Sequence, residues 1–302
     1  MRILHAILYL TLLLPFSIAA QVPPPAAMPT PAAPQLSAKS YVLMDYDSGE
    51  VIVSHEADIQ LDLASITKLM TSYVVFQELA GGKIALDDIV VISENAWRTG
   101  GSRMFLEPGM EVTIEQLILG LVVQSGNDAS VALAEHLGGT EASFAGIMNY
   151  YAEQLGMTQT HFVNATGLPD PNHYSTAHDV AVLSVALIRD FPDYYRWYSE
   201  KEFTFNNIRQ HNRNNLLWRD PAVDGLKTGH TEAAGYCLAA SAKRDGMRLI
   251  SVVMGSASEQ SRASESQSLL NYGFRFFETV QVYRGGEKLT DARVWKGQVE
   301  QV

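Results

Sequence analysis

Ser65 and Lys68 stand three residues apart at the head of an apolar run that extends from Leu61 to Leu79. Residues three apart on a helix share a face, so the Lys68 amine can reach the Ser65 hydroxyl. Burial disfavours an ammonium and lowers a lysine pKa. A neutral amine beside a serine is a general base beside a nucleophile. Free backbone N–H groups at a helix start also favour developing negative charge. The plain alternative is a lysine snorkelling to water from a helix N-terminus, and this pair alone does not decide between the two.

Two further motifs follow. Ser125-Gly126-Asn127 closes an apolar helical stretch and, taken alone, is an ordinary helix stop. Lys227-Thr228-Gly229 begins a strand and, taken alone, is a turn with a solvated lysine. All three motifs occur once, in this order. Ser-x-x-Lys, Ser-Asp-Asn and Lys-Thr-Gly together mark class A β-lactamases and penicillin-binding proteins; here the middle motif reads Ser-Gly-Asn. A glycine at 229 would let a substrate backbone approach the strand.

With "MFLEPG", "YSTAHDVA" and "LLNYGFRFFET", these motifs make the chain resemble the low-molecular-mass penicillin-binding proteins, the serine-type D-alanyl-D-alanine carboxypeptidases, over about residues 40–279. The resemblance implies Ser65 as the acylated nucleophile and Lys68 as its base. It implies Ser125 as proton relay to the leaving amine and Asn127 as a holder of the substrate amide. Lys227 would supply positive charge, and Thr228 with the strand from Gly229 would dock the peptide edge-on. The N–H groups of Ser65 and His230 would form the oxyanion hole, and Arg262 would place a cation near the terminal carboxylate. Peptidoglycan stem peptides are the implied substrates and β-lactam antibiotics the implied covalent inhibitors. Neither a cofactor nor a metal is expected, since no ligand cluster is visible. Cys237 is read as a small buried hydrophobe.

Class A β-lactamases need a glutamate to activate the deacylating water. None lies between Glu153 and Glu200, where the long loop offers Asp170 and Asp179. Acylation by a β-lactam is therefore expected to be followed by slow release. An endopeptidase cleaving D-alanyl-D-alanine cross-links stays open, as does a non-catalytic wall-binding relative.

The scaffold around these residues is legible in outline. The 302-residue chain is 47% hydrophobic, enough for a sizeable core, and its net charge of −11 argues against general nucleic-acid binding. "MRILHAILYLTLLLPFSIAAQ" has the layout of a secretory signal peptide, cleaved after Ala19 or Ala20; its apolar run falls short of the ~20 residues of a membrane span. Export to the periplasm is expected, with residues 1–20 as signal and a Pro/Ala-rich linker over 21–37. Residues 38–279 would be the peptidase domain, and 280–302 the start of a β-rich second domain. In the family that domain leads to a membrane-lying helix, so inner-membrane association is implied only for a longer C-terminus.

Within the domain, a hairpin turns at Asp47-Ser48-Gly49, and a buried helix follows Ser65. Thr113 and Gln116 form a capping box for the next helix. Further helices are expected over about 129–136 and 141–154, from Thr176 to Asp190, and over 259–278, with two or three strands between 224 and 255. Strands at both ends and helices between predict an α/β fold of α+β type: one antiparallel sheet flanked by helices and packed on a mostly helical, β-lactamase/transpeptidase-like lobe.

Overall fold

The structure, a computed structural model, describes residues 30–283, 286–288 and 290. The signal peptide expected at 1–20, most of the linker and most of 280–302 lie outside them. Two units are distinguished, Met1–Ala32 and Ala33–Val302, and the elements below belong to the second.

Strands β1 (Ser40–Asp45) and β2 (Val51–His55) form the expected hairpin, and a 3-10 turn, Ala64–Thr67, leads into α1 (Lys68–Ala80). Then come β3 (Ile89–Val91), α2 (Glu94–Arg98), β4 (Glu111–Thr113) and α3 (Ile114–Leu119). The Thr113–Gln116 capping box is present at α3, which runs on into a π-turn, Gly120–Gln124. Helices α4 (Asn127–Gly138), α5 (Glu141–Gln154) and α6 (Ala177–Asp190) complete the helical lobe. The short α7 (Pro192–Tyr195) precedes a hairpin of β5 (Glu202–Phe205) and β6 (Ile208–His211), which the sequence reading did not anticipate. After α8 (Leu216–Arg219) the chain returns through β7 (Val223–Thr231), β8 (Gly235–Arg244) and β9 (Met247–Ser256) to α9 (Glu259–Phe276).

The main sheet is antiparallel, in the order β2-β1-β9-β8-β7. Strand β9 lies in its middle with both faces covered, which is why its sequence is a nearly unbroken apolar run. Ile250, Val252 and Met254 face the core shared with α1, α4 and α6. Leu249 and Val253 face the opposite core, with Ala263, Leu269 and Leu270 of α9 and Leu216 and Leu217 of α8. Ala33 and Leu36 pack against this second core, and Ser37 donates to Glu265 through N–H and hydroxyl.

Helix α1 is buried from Lys68 to Phe76 without a break. A helix with no solvent face belongs at the centre of a lobe. Here the lobe closes around it and carries its N-terminus to the sheet edge formed by β7.

Candidate active site

Ser65 lies in the 3-10 turn rather than in α1 itself. The preceding residue, Ala64, has φ +45°, a left-handed conformation that disfavours any side chain. The close packing of Gly229 helps explain why it persists. A Cβ on Gly229 would stand 3.0 Å from the Leu63 carbonyl and 3.2 Å from the Ala64 Cβ and the Ile66 Cγ1. A side chain at the third motif's glycine would thus be crowded by the Ser65 turn that strand β7 lies against. The substrate-approach reason expected from sequence is not needed to account for it.

Lys68 is fully buried, and its Nζ donates to three oxygens: Ser65 Oγ at 3.0 Å, Asn127 Oδ1 at 2.6 Å and the Thr166 carbonyl at 2.6 Å. Burial pushes its pKa from 10.5 down to about 7, with Asp128 and Glu141 offsetting part of the effect. At neutral pH the amine is half unprotonated, and the 3.0 Å contact can then run the other way, hydroxyl to amine.

Ser125 ends the π-turn in a left-handed conformation, φ +66°, again without being glycine. Strain of this kind gathers where a side chain must be aimed. Its Oγ accepts from the Lys227 Nζ at 2.9 Å, and the same amine donates to the Thr228 carbonyl. Lys227 is held well below the ordinary lysine range, first by burial and then by the charges of Lys68, Arg262 and Arg213. Two hydrogen bonds therefore join three motifs distant in sequence: Lys68 to Asn127, and Lys227 to Ser125.

Asn127 has a protein partner at each end of its amide, since Nδ2 donates to the Gly100 carbonyl at 2.6 Å. One N–H and one lone pair remain for a ligand. The next residue, Asp128, is buried and was not singled out in the sequence. Its carboxylate accepts from the N–H groups of Met104, Leu106 and Ala129 and so fixes the 100–106 segment beside Asn127.

Thr228 is buried on the edge strand, and His230 is exposed, stacked on Tyr236 with ring centroids 3.9 Å apart. Arg262 is also buried. It donates to the Gly229 carbonyl at 3.1 Å and to Glu259 at 3.4 Å, with its guanidinium over the Tyr236 ring. Its donors thus already engage the backbone of the third motif. A second cation, Arg213, was missed in the sequence. It is exposed, and its charge lowers both Lys227 and Arg262. Its neighbours anchor it: Asn212 donates to the Glu200 carbonyl and Asn214 to that of Gly225. The only sequence signal was an arginine set between asparagines after an amphipathic hairpin.

Cys237 is buried and its thiol is pushed up to about 11 by desolvation, as an inert core residue should be. Among the described residues no group of three or more His, Cys, Asp or Glu could hold a metal. An open groove runs between the β8–β9 turn and residues 274–283, and neither Ser65 nor Lys68 lines it.

A family model described as D-alanyl-D-alanine carboxypeptidase matches residues 27–258. The D-alanyl-D-alanine carboxypeptidase DacA of Escherichia coli (strain K12) is 50% identical over 274 residues, which cover 88% of this chain and 68% of DacA. Among solved structures, penicillin binding protein 5 from Haemophilus influenzae superposes with a TM-score of 0.87 at 47% identity, covering 90% of this chain and 80% of that one. The ampicillin-bound form of Penicillin-Binding Protein D2 from Listeria monocytogenes gives 0.74 at 29% identity, covering 81% of this chain and all of the other.

Proposed function

The chain belongs to the D-alanyl-D-alanine carboxypeptidase family, and from that premise we propose how its own residues carry the reaction. It is a serine-type D-alanyl-D-alanine carboxypeptidase and a penicillin-binding protein. Ser65 attacks the carbonyl of the penultimate D-alanine while the neutral Lys68 amine takes its proton. The N–H groups of Ser65 and His230 receive the oxyanion. Ser125 passes its proton to the departing D-alanine nitrogen and draws another from the Lys227 ammonium that already donates to it. The C–N bond breaks, leaving an acyl group on Ser65 that water later releases by the same exchanges in reverse.

The substrate, a peptidoglycan stem pentapeptide, lies along the free edge of β7 as an added strand. Asn127 meets its amide with the N–H and lone pair left over. The terminal carboxylate is met by the Thr228 hydroxyl and by Arg213. Among the described residues Arg213 makes no ion pair or hydrogen bond, whereas Arg262 is committed to Gly229 and Glu259. Arg262 then acts by holding the Lys-Thr-Gly backbone. A β-lactam acylates the same serine. Asp170 accepts from the Asn172 N–H, and Asp179 from Gln159 and Thr160; the loop carries no glutamate to activate water, and release is slow. Export across the membrane follows from the substrate's location.

The pair of lysine hydrogen bonds uniting the three motifs carries this reading. It is tested by incubating the protein and its Ser65→Ala variant with a D-Ala-D-Ala pentapeptide and with a cross-linked dimer, and identifying products by mass. Loss of one alanine from the pentapeptide, by wild type alone, is expected. Cleavage of the dimer with the pentapeptide intact would overturn it.

A further inference from the structure

The third residue of the first motif, Thr67, is buried, and its Oγ1 lies 2.7 Å from Nε2 of His173. His173 belongs to the loop before α6, over a hundred residues away. The Val163 N–H donates to His173 Nδ1 at 3.1 Å. That nitrogen is therefore an acceptor, so the ring hydrogen sits on Nε2 and is donated to Thr67. The ring is buried, edge-on to Phe162 with centroids 5.6 Å apart. Burial lowers its pKa from 6.5 to about 4; Asp170 opposes this, and His161 and Lys68 add to it. The ring therefore stays neutral, and keeps this tautomer, near neutral pH.

The same loop touches the nucleophile turn and the start of α1 three more times. Its Thr166 carbonyl takes the Lys68 ammonium, and its Ala165 carbonyl takes the Thr71 hydroxyl at 2.7 Å. A Cβ on Gly167 would fall 1.8 Å from the Ala64 carbonyl and 2.8 Å from Thr67 Oγ1. Two of the three oxygens that place the Lys68 amine thus belong to Asn127 and to this loop. His173 is the one side chain in these contacts that holds both the loop, through Val163, and the turn, through Thr67.

We propose that His173 is a positioning residue for acylation, clamping the Ser65–Lys68 turn to the 163–175 loop so that the Thr166 carbonyl and the Ser65 hydroxyl meet the Lys68 amine together. It touches neither the serine nor the lysine in the hydrogen-bond network and transfers no proton. The proposal rests on Lys68 as the base.

The test compares His173→Phe, which keeps the ring and loses both hydrogen bonds, with His173→Gln. Glutamine places its Nε2 the same number of bonds from Cβ as histidine does, so it restores the donor to Thr67. Acylation by a fluorescent penicillin is followed against pH, normalised to the labelled fraction at completion, with thermal melting alongside. His173→Phe should acylate about 10- to 100-fold more slowly, since small misplacements of reacting groups cost that much. Its rising pH limb should move above 7 as the loosened loop admits water to Lys68, whose other charged neighbours, Asp128, Glu141 and Lys227, are unchanged. His173→Gln should recover most of the rate and the limb. Adding Thr67→Val to His173→Phe should slow acylation little further. A His173→Phe protein with the wild-type rate and limb would overturn the proposal. So would one that merely melts earlier with the limb unmoved. If Lys68 is not the base, wild type itself lacks a limb near 7, which separates the two failures.

Discussion

If the Lys68 amine is the base, the rate at which a penicillin acylates Ser65 must follow its neutral fraction. An ordinary lysine at 10.5 is neutral to only about 3 parts in 10,000 at pH 7. Burial at Nζ brings the value to about 7, so half of the molecules carry a competent base, a gain of ~1000-fold. The same shift means that the buried ammonium costs ~5 kcal/mol relative to the unfolded chain. Between 7 and 10.5 the unfolded chain holds more protons than the folded one, so on this group's account stability rises with pH across that window. Below 7 the whole cost is present. Acylation should therefore be half-maximal near pH 7 and about a hundredth of its plateau at pH 5, read by stopped labelling with a fluorescent penicillin. Lys68→Arg should slow it ~100- to 10,000-fold at every pH, the range of general-base contributions, because a guanidinium does not deprotonate in a protein. A rate that is flat from pH 5 to 9, or an arginine variant within about tenfold of wild type, would refute the reasoning.

Other outcomes can be checked in the same assays. Asp128→Asn should lower stability by roughly 2–3 kcal/mol in denaturant melts, because a carboxylate accepting several N–H groups becomes an amide. Since the Asp128 charge raises Lys68, the same variant should move the acylation midpoint down in pH; an upward move would contradict the assignment. Arg213→Ala should lower kcat/KM on D-Ala-D-Ala peptides by about one to two decades, the worth of a charge-assisted hydrogen bond. A penicillin methyl ester, which lacks the carboxylate, should be affected much less, and equal losses on both would remove Arg213 from that role. Penicilloyl release should be slow; turnover near the median enzyme rate of ~10 per second would refute this. His173 should make the protein acid-labile: its folded value of about 4 lies below 6.5, so up to about 3 kcal/mol of stability is lost as pH falls from 6.5 to 4, and His173→Gln should melt less steeply there.

Local sequence carried the Ser65–Lys68 pairing and the outline of the scaffold. Ser65 and Lys68 are three residues apart, so any helical turn there brings amine to hydroxyl. Thr113 and Thr176 cap the helices that follow them by accepting from N–H groups three residues on, and the apolar run of α1 announces a buried helix. Such signals are local, and local geometry needs no knowledge of the rest of the chain. What crosses the chain was not legible. Nothing near Lys68 says that its second and third oxygens come from Asn127 and Thr166, or that Lys227 reaches Ser125 across about a hundred residues. Gly229 looked like a concession to substrate, yet Leu63, Ala64 and Ile66 also crowd the place a Cβ would take. Arg262, expected as a cation near the terminal carboxylate, is buried against Gly229, while Arg213 stands exposed. The depressed pKa values of Lys68, Lys227 and His173 arise from burial. Burial is set by what the whole fold packs around a group, so only the tertiary structure could decide them.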